Sequence, residues 1–219
     1  MTMTPTPPQL PGSALRVVPV LLTAGAAALA VDVGLARVCH REKLLAVTHK
    51  VLEQIEPFGQ PTALLIICAA IALCDPNRGR FAVRIALAAI GSGLSADVVK
   101  LLIARIRPYH MTAEEFTQPV WSTFRGVLPL LSGGSRLQSC PSAHSAFVTG
   151  FCLALWSAYP AGRWLFTLVA VAVALQRIES GAHFLSDTCW GAAVGYLFCH
   201  WLYHGPVGNR LQRWELPPV

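Results

Sequence analysis

Four long runs of apolar residues, almost free of charge, constrain this chain more than any other feature. They are VVPVLLTAGAAALAV (17–31), LLIICAAIALC (64–74), FVTGFCLALW (147–156) and WLFTLVAVAVAL (164–175). Exposed to water, such runs are an aggregation hazard, and their uniformity does not match the one-sided pattern of a soluble core helix. Composition agrees: only 13% of the 219 residues are charged, against roughly 25% in soluble domains. The natural solvent is a bilayer. Because a lipid environment demands internally satisfied backbone, the spans are expected to be helices.

The resulting expectation is an all-α, multi-pass membrane helix bundle with six transmembrane helices and an interfacial amphipathic helix between the first two. Residues 1–13, rich in Pro and Thr, read as a disordered tail. The first span covers about 17–36. Ala28-Leu29-Ala30 resembles a signal-peptidase site, but the apolar run continues past it to Ala36 behind a single Arg16, so the span is expected to be retained. Between 41 and 56, Leu44, Leu45, Val47, Val51, Leu52 and Ile55 fall at helical spacing with charges opposite, the pattern of a helix lying on the membrane. Span two follows Pro57-Phe58-Gly59 and runs to about Cys74, and DPNRGR (75–80) makes a polar turn. Span three, about 81–103, carries small residues at Gly91, Ser92, Gly93 and Ser95 that permit close helix approach. It exits near Arg107-Pro108 into a loop over 109–140, long enough to be functional. Spans four, five and six cover about 143–159, 163–178 and 186–203. The chain thus divides into the 1–13 tail, a membrane domain over 14–205 with its motif core at 81–203, and a C-terminal tail over 206–219.

The formal charge of +6 raises the question of nucleic acid, but no basic stripe interleaved with aromatics is present. Arginines sit instead at the ends of apolar runs, placed for headgroups or anionic substrates. Seven cysteines occur without CxxC spacing, and Cys68, Cys74, Cys152, Cys189 and Cys199 lie in apolar segments, as small buried hydrophobes do. Six spans place both termini on one side, where Lys and Arg number seven against ten on the other. The positive-inside rule does not decide between the two orientations.

Three stretches hold polar groups that an apolar bundle has no reason to keep. In KLLIARIRP (100–108), Lys100 and Arg107 are seven residues apart and can converge at one membrane surface. The simpler alternative is that each reaches headgroups separately, with Asp97 pairing to Lys100. In CPSAH (140–144), Pro141 and Ser142 open a capped helix whose free N–H groups favour an anion, with His144 in its first turn. A satisfied core histidine is the competing explanation. In QRIESGAHFLSD (176–187), His183 and Asp187 share a helical face at i, i+4, and Arg177 supplies a third cation able to grip phosphate oxygens. The alternatives there are an interfacial ion pair or a metal site of His144, His183 and Asp187, the latter disfavoured by three surrounding cations.

Read in order, K-x6-RP (Lys100 to Pro108), PSxH (Pro141 to His144) and R-x5-H-x3-D (Arg177 to Asp187) resemble the type 2 phosphatidic acid phosphatase (PAP2) superfamily. That group includes bacterial lipid phosphate phosphatases, undecaprenyl pyrophosphate phosphatases and soluble vanadium haloperoxidases. The resemblance covers about 81–203 through its motifs and the upstream spans through layout only. Two positions depart from the family pattern. Ala143 stands where PSGH has glycine, keeping the backbone N–H, and Gln176 stands where serine usually precedes the arginine, which bears on how Arg177 is held.

The resemblance implies that His183 attacks phosphorus, that Asp187 orients it, and that His144 protonates the leaving oxygen and then activates water. Lys100, Arg107, Ser142, the Ala143 N–H and Arg177 would hold the phosphoryl oxygens. Such a donor set offsets charge without a metal or cofactor, so none is expected. The implied partners are the bilayer and a lipid phosphate: phosphatidate, phosphatidylglycerol phosphate, undecaprenyl pyrophosphate or a lipid A phosphate. By analogy the site faces the periplasm or outer surface of the cell inner membrane. A phosphotransferase using the same histidine and a catalytically silent scaffold are the competing functions.

Overall fold

The structure, a computed structural model, describes residues 10, 14–41, 46–75, 78–130 and 132–215. Its helices are α1 (Ala14–Ala28), α2 (Asp32–Arg41), α3 (Ala46–Ile55), α4 (Pro61–Cys74), α5 (Phe81–Lys100), α6 (Ala143–Ala158), α7 (Arg163–Glu179), α8 (Leu185–His204) and α9 (Pro206–Glu215). Two short strands, β1 (Ile103–Arg105) and β2 (Phe124–Val127), pair antiparallel between α5 and α6. The fold is therefore mostly helical, as expected, with one small strand pair that the all-α reading did not include.

Helix α6 is the axis of the bundle, with α5, α7 and α8 packed around it. Its 16 residues span about 24 Å at 1.5 Å per residue. From Ser145 to Leu155 every residue is buried, so the surrounding helices shield it from lipid. Close approach depends on small residues. A Cβ on Gly150 would lie 2.4 Å from the Ala88 carbonyl oxygen and from Ser92 Oγ, and one on Gly191 would lie 2.3 Å from the Ser142 carbonyl oxygen. The small face read at Ser92 and Gly93 is thus where α5 meets its neighbours, Ser92 toward Gly150 and Gly195 and Gly93 toward Phe147.

Among the described residues, the helices Phe81–Lys100 and Pro160–Glu179 are long and apolar enough to cross a bilayer singly. Two further crossings are possible if each of two bent pairs counts as one, Leu15–Ala28 with Asp32–His40 at 69° and His49–Gly59 with Pro61–Cys74 at 64°.

The first span, expected as one run over 17–36, is instead broken into α1 and α2. Asp32 begins α2 and is buried on polar partners, which a straight apolar helix would deny it. Span three ends at Lys100 rather than 103, and Arg107 is extended (φ −79°, ψ 143°), so Lys100 and Arg107 do not share a helix. The strand pairing of Ile103 with Val127 explains the early exit.

The segment expected as a C-terminal tail carries α9 over Pro206–Glu215. Glu215 enters the core, where its carboxylate accepts from Arg84 Nε at 2.8 Å and Nη2 at 2.7 Å. Only Leu10 of the 1–13 tail is described, buried against the same core as Leu64 and Phe151. Of the 41–56 segment, residues 42–45 lie outside the described residues and a helix stands at Ala46–Ile55.

Candidate active site

The three motifs meet at one end of α5, α6 and α8. Ser142 is the N-cap of α6, its Oγ accepting from the Ser145 N–H at 3.3 Å, which leaves Ala143 and His144 in the first turn. The Ser142 N–H donates to the Asp187 carbonyl oxygen at 3.0 Å, locking the α6 start against α8. The turn before α8 is shaped by Gly181, whose φ of +68° suits glycine, and Gly181 accepts from the Tyr109 N–H at 2.9 Å. The K-x6-RP segment is thereby tied to the histidine motif.

His183 is buried, with 2% exposure. Its Nδ1 lies 2.7 Å from the Ser139 carbonyl oxygen, which can only accept, so Nδ1 carries the proton and Nε2 keeps the lone pair. Asp187 stands farther away, its Oδ2 3.9 Å from Nδ1. His183 precedes α8, which begins at Leu185, so it does not share a helical face with Asp187 as the i, i+4 spacing suggested, and the ring is held by the Ser139 carbonyl instead. Asp187 Oδ2 accepts from Ser139 Oγ at 2.6 Å and from the Phe184 N–H at 3.0 Å, while Oδ1 accepts from Arg105 Nη1 at 2.6 Å. Burial first, then Arg107 and Lys100, hold the His183 ring below the usual histidine range.

Lys100 Nζ is 2.9 Å from Asp97 Oδ1, so the simple pairing exists, yet Lys100 is also close enough to influence both His183 and His144 electrostatically. Pairing and convergence hold together. Arg107 keeps a buried Nε with no hydrogen-bond partner among the described residues, an atom suited to an anion that enters the site. Arg177 closes α7, its Nη2 2.8 Å from Glu56 Oε1 and its Nε donating to Gln176 Oε1. Gln176 Nε2 donates in turn to Glu56 Oε2 at 3.3 Å. The unusual glutamine thus steadies Arg177 together with a glutamate 120 residues away in sequence.

His144 lines a cleft of about 480 Å³ bounded also by Gly59, Pro61, Asp97, Ala143 and Phe147. A second cavity of about 380 Å³, between α1, α6, α7 and α8, is lined by apolar side chains and a few hydroxyls and thiols and holds no cation. It is not a place for phosphate. Cys140, beside the motif, is buried, and burial together with Asp187 pushes its thiol up, away from nucleophilic form.

Four participants escaped the sequence reading: Asp32, Arg105, Ser139 and Glu56. Arg105 and Ser139 adjoin motif residues but carry no spacing signal of their own. Asp32 had one, as the only acidic residue inside the expected first span, 17–36. Glu56 had none, because its contact with Arg177 arises only from packing.

Fold and site together define an integral membrane protein whose helix ends gather two histidines and three cations at one surface. The chain belongs to the PAP2 superfamily, which matches residues 81–210, more than half of its length. Two curated relatives, both lipid A 1-phosphatases, are 34% identical over 107 residues (Rhizobium johnstonii) and 33% over 107 (Rhizobium etli). Those matches take in 49% of this chain and 40% and 42% of the relatives, so the likeness spans less than half of either enzyme. The crystal structure of a transmembrane PAP2 type phosphatidylglycerolphosphate phosphatase from Bacillus subtilis superposes with a TM-score of 0.55. It covers 87% of this chain and 92% of that one at 17% identity, a likeness of fold.

Proposed function

We propose that this protein is a membrane lipid phosphate phosphatase working through a phosphohistidine on His183. The observation that carries the reading is the state of that ring: buried, its Nδ1–H spent on the Ser139 carbonyl, and its Nε2 lone pair left free among Lys100, Arg107 and His144. Nε2 forms the bond to phosphorus as the bond to the lipid oxygen breaks. His144 gives that oxygen its proton, then takes one from the water that attacks the phosphohistidine and releases phosphate. Lipid alkoxide leaves poorly, and such proton donation is worth about 10²–10⁴ in rate. Lys100, Arg107, Arg177, Ser142 and the Ala143 N–H act on the phosphoryl oxygens, where fixed donors offset the developing charge. Asp187 acts on His183 through Ser139 and its own charge. With these cations the reaction proceeds without a metal.

The cleft beside His144 lies between α5, α6 and the start of α4, so a lipid can bring its headgroup in from the side while its tails stay in the bilayer. The proposed topology has six crossings, with α1 and α2 as one broken crossing, α3 on the surface, and α4 to α8 supplying the rest. The site then faces the periplasmic or outer side of the inner membrane. Since the curated relatives are lipid A 1-phosphatases, a lipid A phosphate heads the substrate panel.

Trapping tests the chemistry. Acid-labile, alkali-stable label from a ³²P lipid phosphate is expected on the wild type and on His144→Ala, where water attack is slowed. It should be absent from His183→Ala. Label retained in His183→Ala would place the nucleophile elsewhere.

A further inference from the structure

Asp32 stands where the first apolar segment breaks, at the opening of α2 after the 69° bend. It is 1% exposed, and a buried carboxylate within membrane helices is costly unless its partners matter. Both oxygens are engaged. Oδ1 accepts from the Ser186 N–H at 3.1 Å, and Oδ2 accepts from Ser186 Oγ at 2.5 Å and Arg105 Nη2 at 2.8 Å. Asp32 thus caps the first turn of α8 and grips an arginine from the β1 segment.

Each partner lies close to His183. Arg105 Nη1 donates to Asp187 Oδ1 at 2.6 Å, and the Arg105 carbonyl oxygen accepts from the Ser139 N–H at 3.1 Å. Ser139 Oγ donates to Asp187 Oδ2 at 2.6 Å, and the Ser139 carbonyl holds the His183 ring at 2.7 Å. Arg105 has little freedom to adjust. Its Nε donates to Thr123 Oγ1 at 3.1 Å, and its guanidinium lies 4.5 Å and 4.1 Å from the ring centroids of Phe124 and Phe184.

Charge adds a second argument. Asp32, Arg105 and Asp187 form a buried set carrying one net negative charge, the sign that favours an imidazole turning cationic as its other nitrogen takes a phosphoryl group. Without Asp32, Arg105 would cancel Asp187. The other charged and titratable groups facing His183 are Lys100 from α5, Arg107 from the segment after β1 and His144 from α6. Among the anions that pair with Arg105, Asp32 alone comes from outside residues 81–210 matched by the family.

We propose that Asp32 is a positioning residue for phosphoryl transfer, acting through Arg105 and Ser186 to hold Asp187 and Ser139 where they present His183 Nε2 to phosphorus. This rests on His183 being the nucleophile. The broken α1–α2 pair is then a working part of the site rather than a membrane anchor alone.

The test uses detergent-purified full chains carrying Asp32→Asn, Ser186→Ala, Arg105→Gln, the Asp32→Asn/Arg105→Gln pair and His183→Ala, with phosphate release from lipid phosphates and thermal melting followed together. Turnover by wild type and none by His183→Ala secures the premise, and turnover by His183→Ala removes it whatever Asp32 does. Given the premise, Asp32→Asn is expected to lower kcat about 10-fold to 100-fold, as displacement by an ångström does. KM should stay within about threefold, and the acid limb of kcat should move to lower pH because a negative charge has left the imidazole's surroundings. In the Arg105→Gln background, Asp32→Asn should cost a smaller factor than in the wild-type background, since the Arg105 route is already cut and only the contacts to Ser186 remain. Wild-type kcat and pH limb in folded Asp32→Asn overturn the proposal, as does a kcat loss that only tracks the loss of folded protein. Should Asp32→Asn not fold, Ser186→Ala decides: lower kcat at unchanged KM supports the proposal, and unchanged kcat overturns it.

Discussion

At the residue scale, the state of His183 sets an expectation about pH. Burial and the neighbouring cations favour the neutral ring, so the proposed nucleophile stays unprotonated below the usual value of about 6.5. The acid limb of kcat/KM is therefore expected below that value, checked by a pH–rate profile on a lipid phosphate held at low concentration. Stability has the same sign. As pH falls through about 6.5, the unfolded chain binds a proton that the folded ring refuses, and stability declines until the lowered folded pKa is reached. A limb at or above the ordinary histidine range would mean that His183 is not held as described. Cys140 gives a complementary expectation: with its thiol pushed up, neutral-pH alkylation followed by mass spectrometry should leave it unlabelled while exposed Cys74 reacts. That the three motifs belong together was legible because residue type and spacing mark them. Ser139 was not, because it contributes a backbone oxygen, which every residue has.

At the element scale, the bundle depends on close approach around α6. Gly150→Ala pushes a methyl group into the Ala88 carbonyl and Ser92, and overpacking of this kind costs about 1–3 kcal/mol. Thermal melting in detergent should fall accordingly, whereas an unchanged melting temperature would mean that α5 and α6 separate freely. Helix α9 offers a sharper contrast. The Arg84 and Glu215 side chains are 3% and 0% exposed, so Glu215→Ala strands a buried guanidinium at a cost of about 3–5 kcal/mol. Arg84→Met with Glu215→Leu removes both charges and should recover most of that loss, leaving phosphate release per folded molecule unchanged. The helices expected for spans three to six were legible to within a few residues because apolar runs and a proline mark them. The break before Asp32, the β1–β2 hairpin and α9 were not. Each is decided by a partner distant in sequence, Arg105 for Asp32 and Arg84 for Glu215, and local pattern carries no trace of such pairing.

At the scale of the whole molecule, hydrophobic burial alone would give a bundle with polar groups only at its ends. Here a buried charged set, Asp32, Arg105 and Asp187, ties the first helix pair to the hairpin and to α8, and above it lie the histidines and three cations. Such a set is an expensive way to hold helices together, since well-packed apolar residues do so as well. Its presence fits the role proposed for His183. The most direct measurement is phosphate release by the purified protein from a panel of lipid monophosphates and pyrophosphates in EDTA, beside His183→Ala. The account predicts release that persists in EDTA and disappears in the variant. Folded wild-type protein that releases no phosphate from any lipid, or a His183→Ala variant that matches it, would contradict the account.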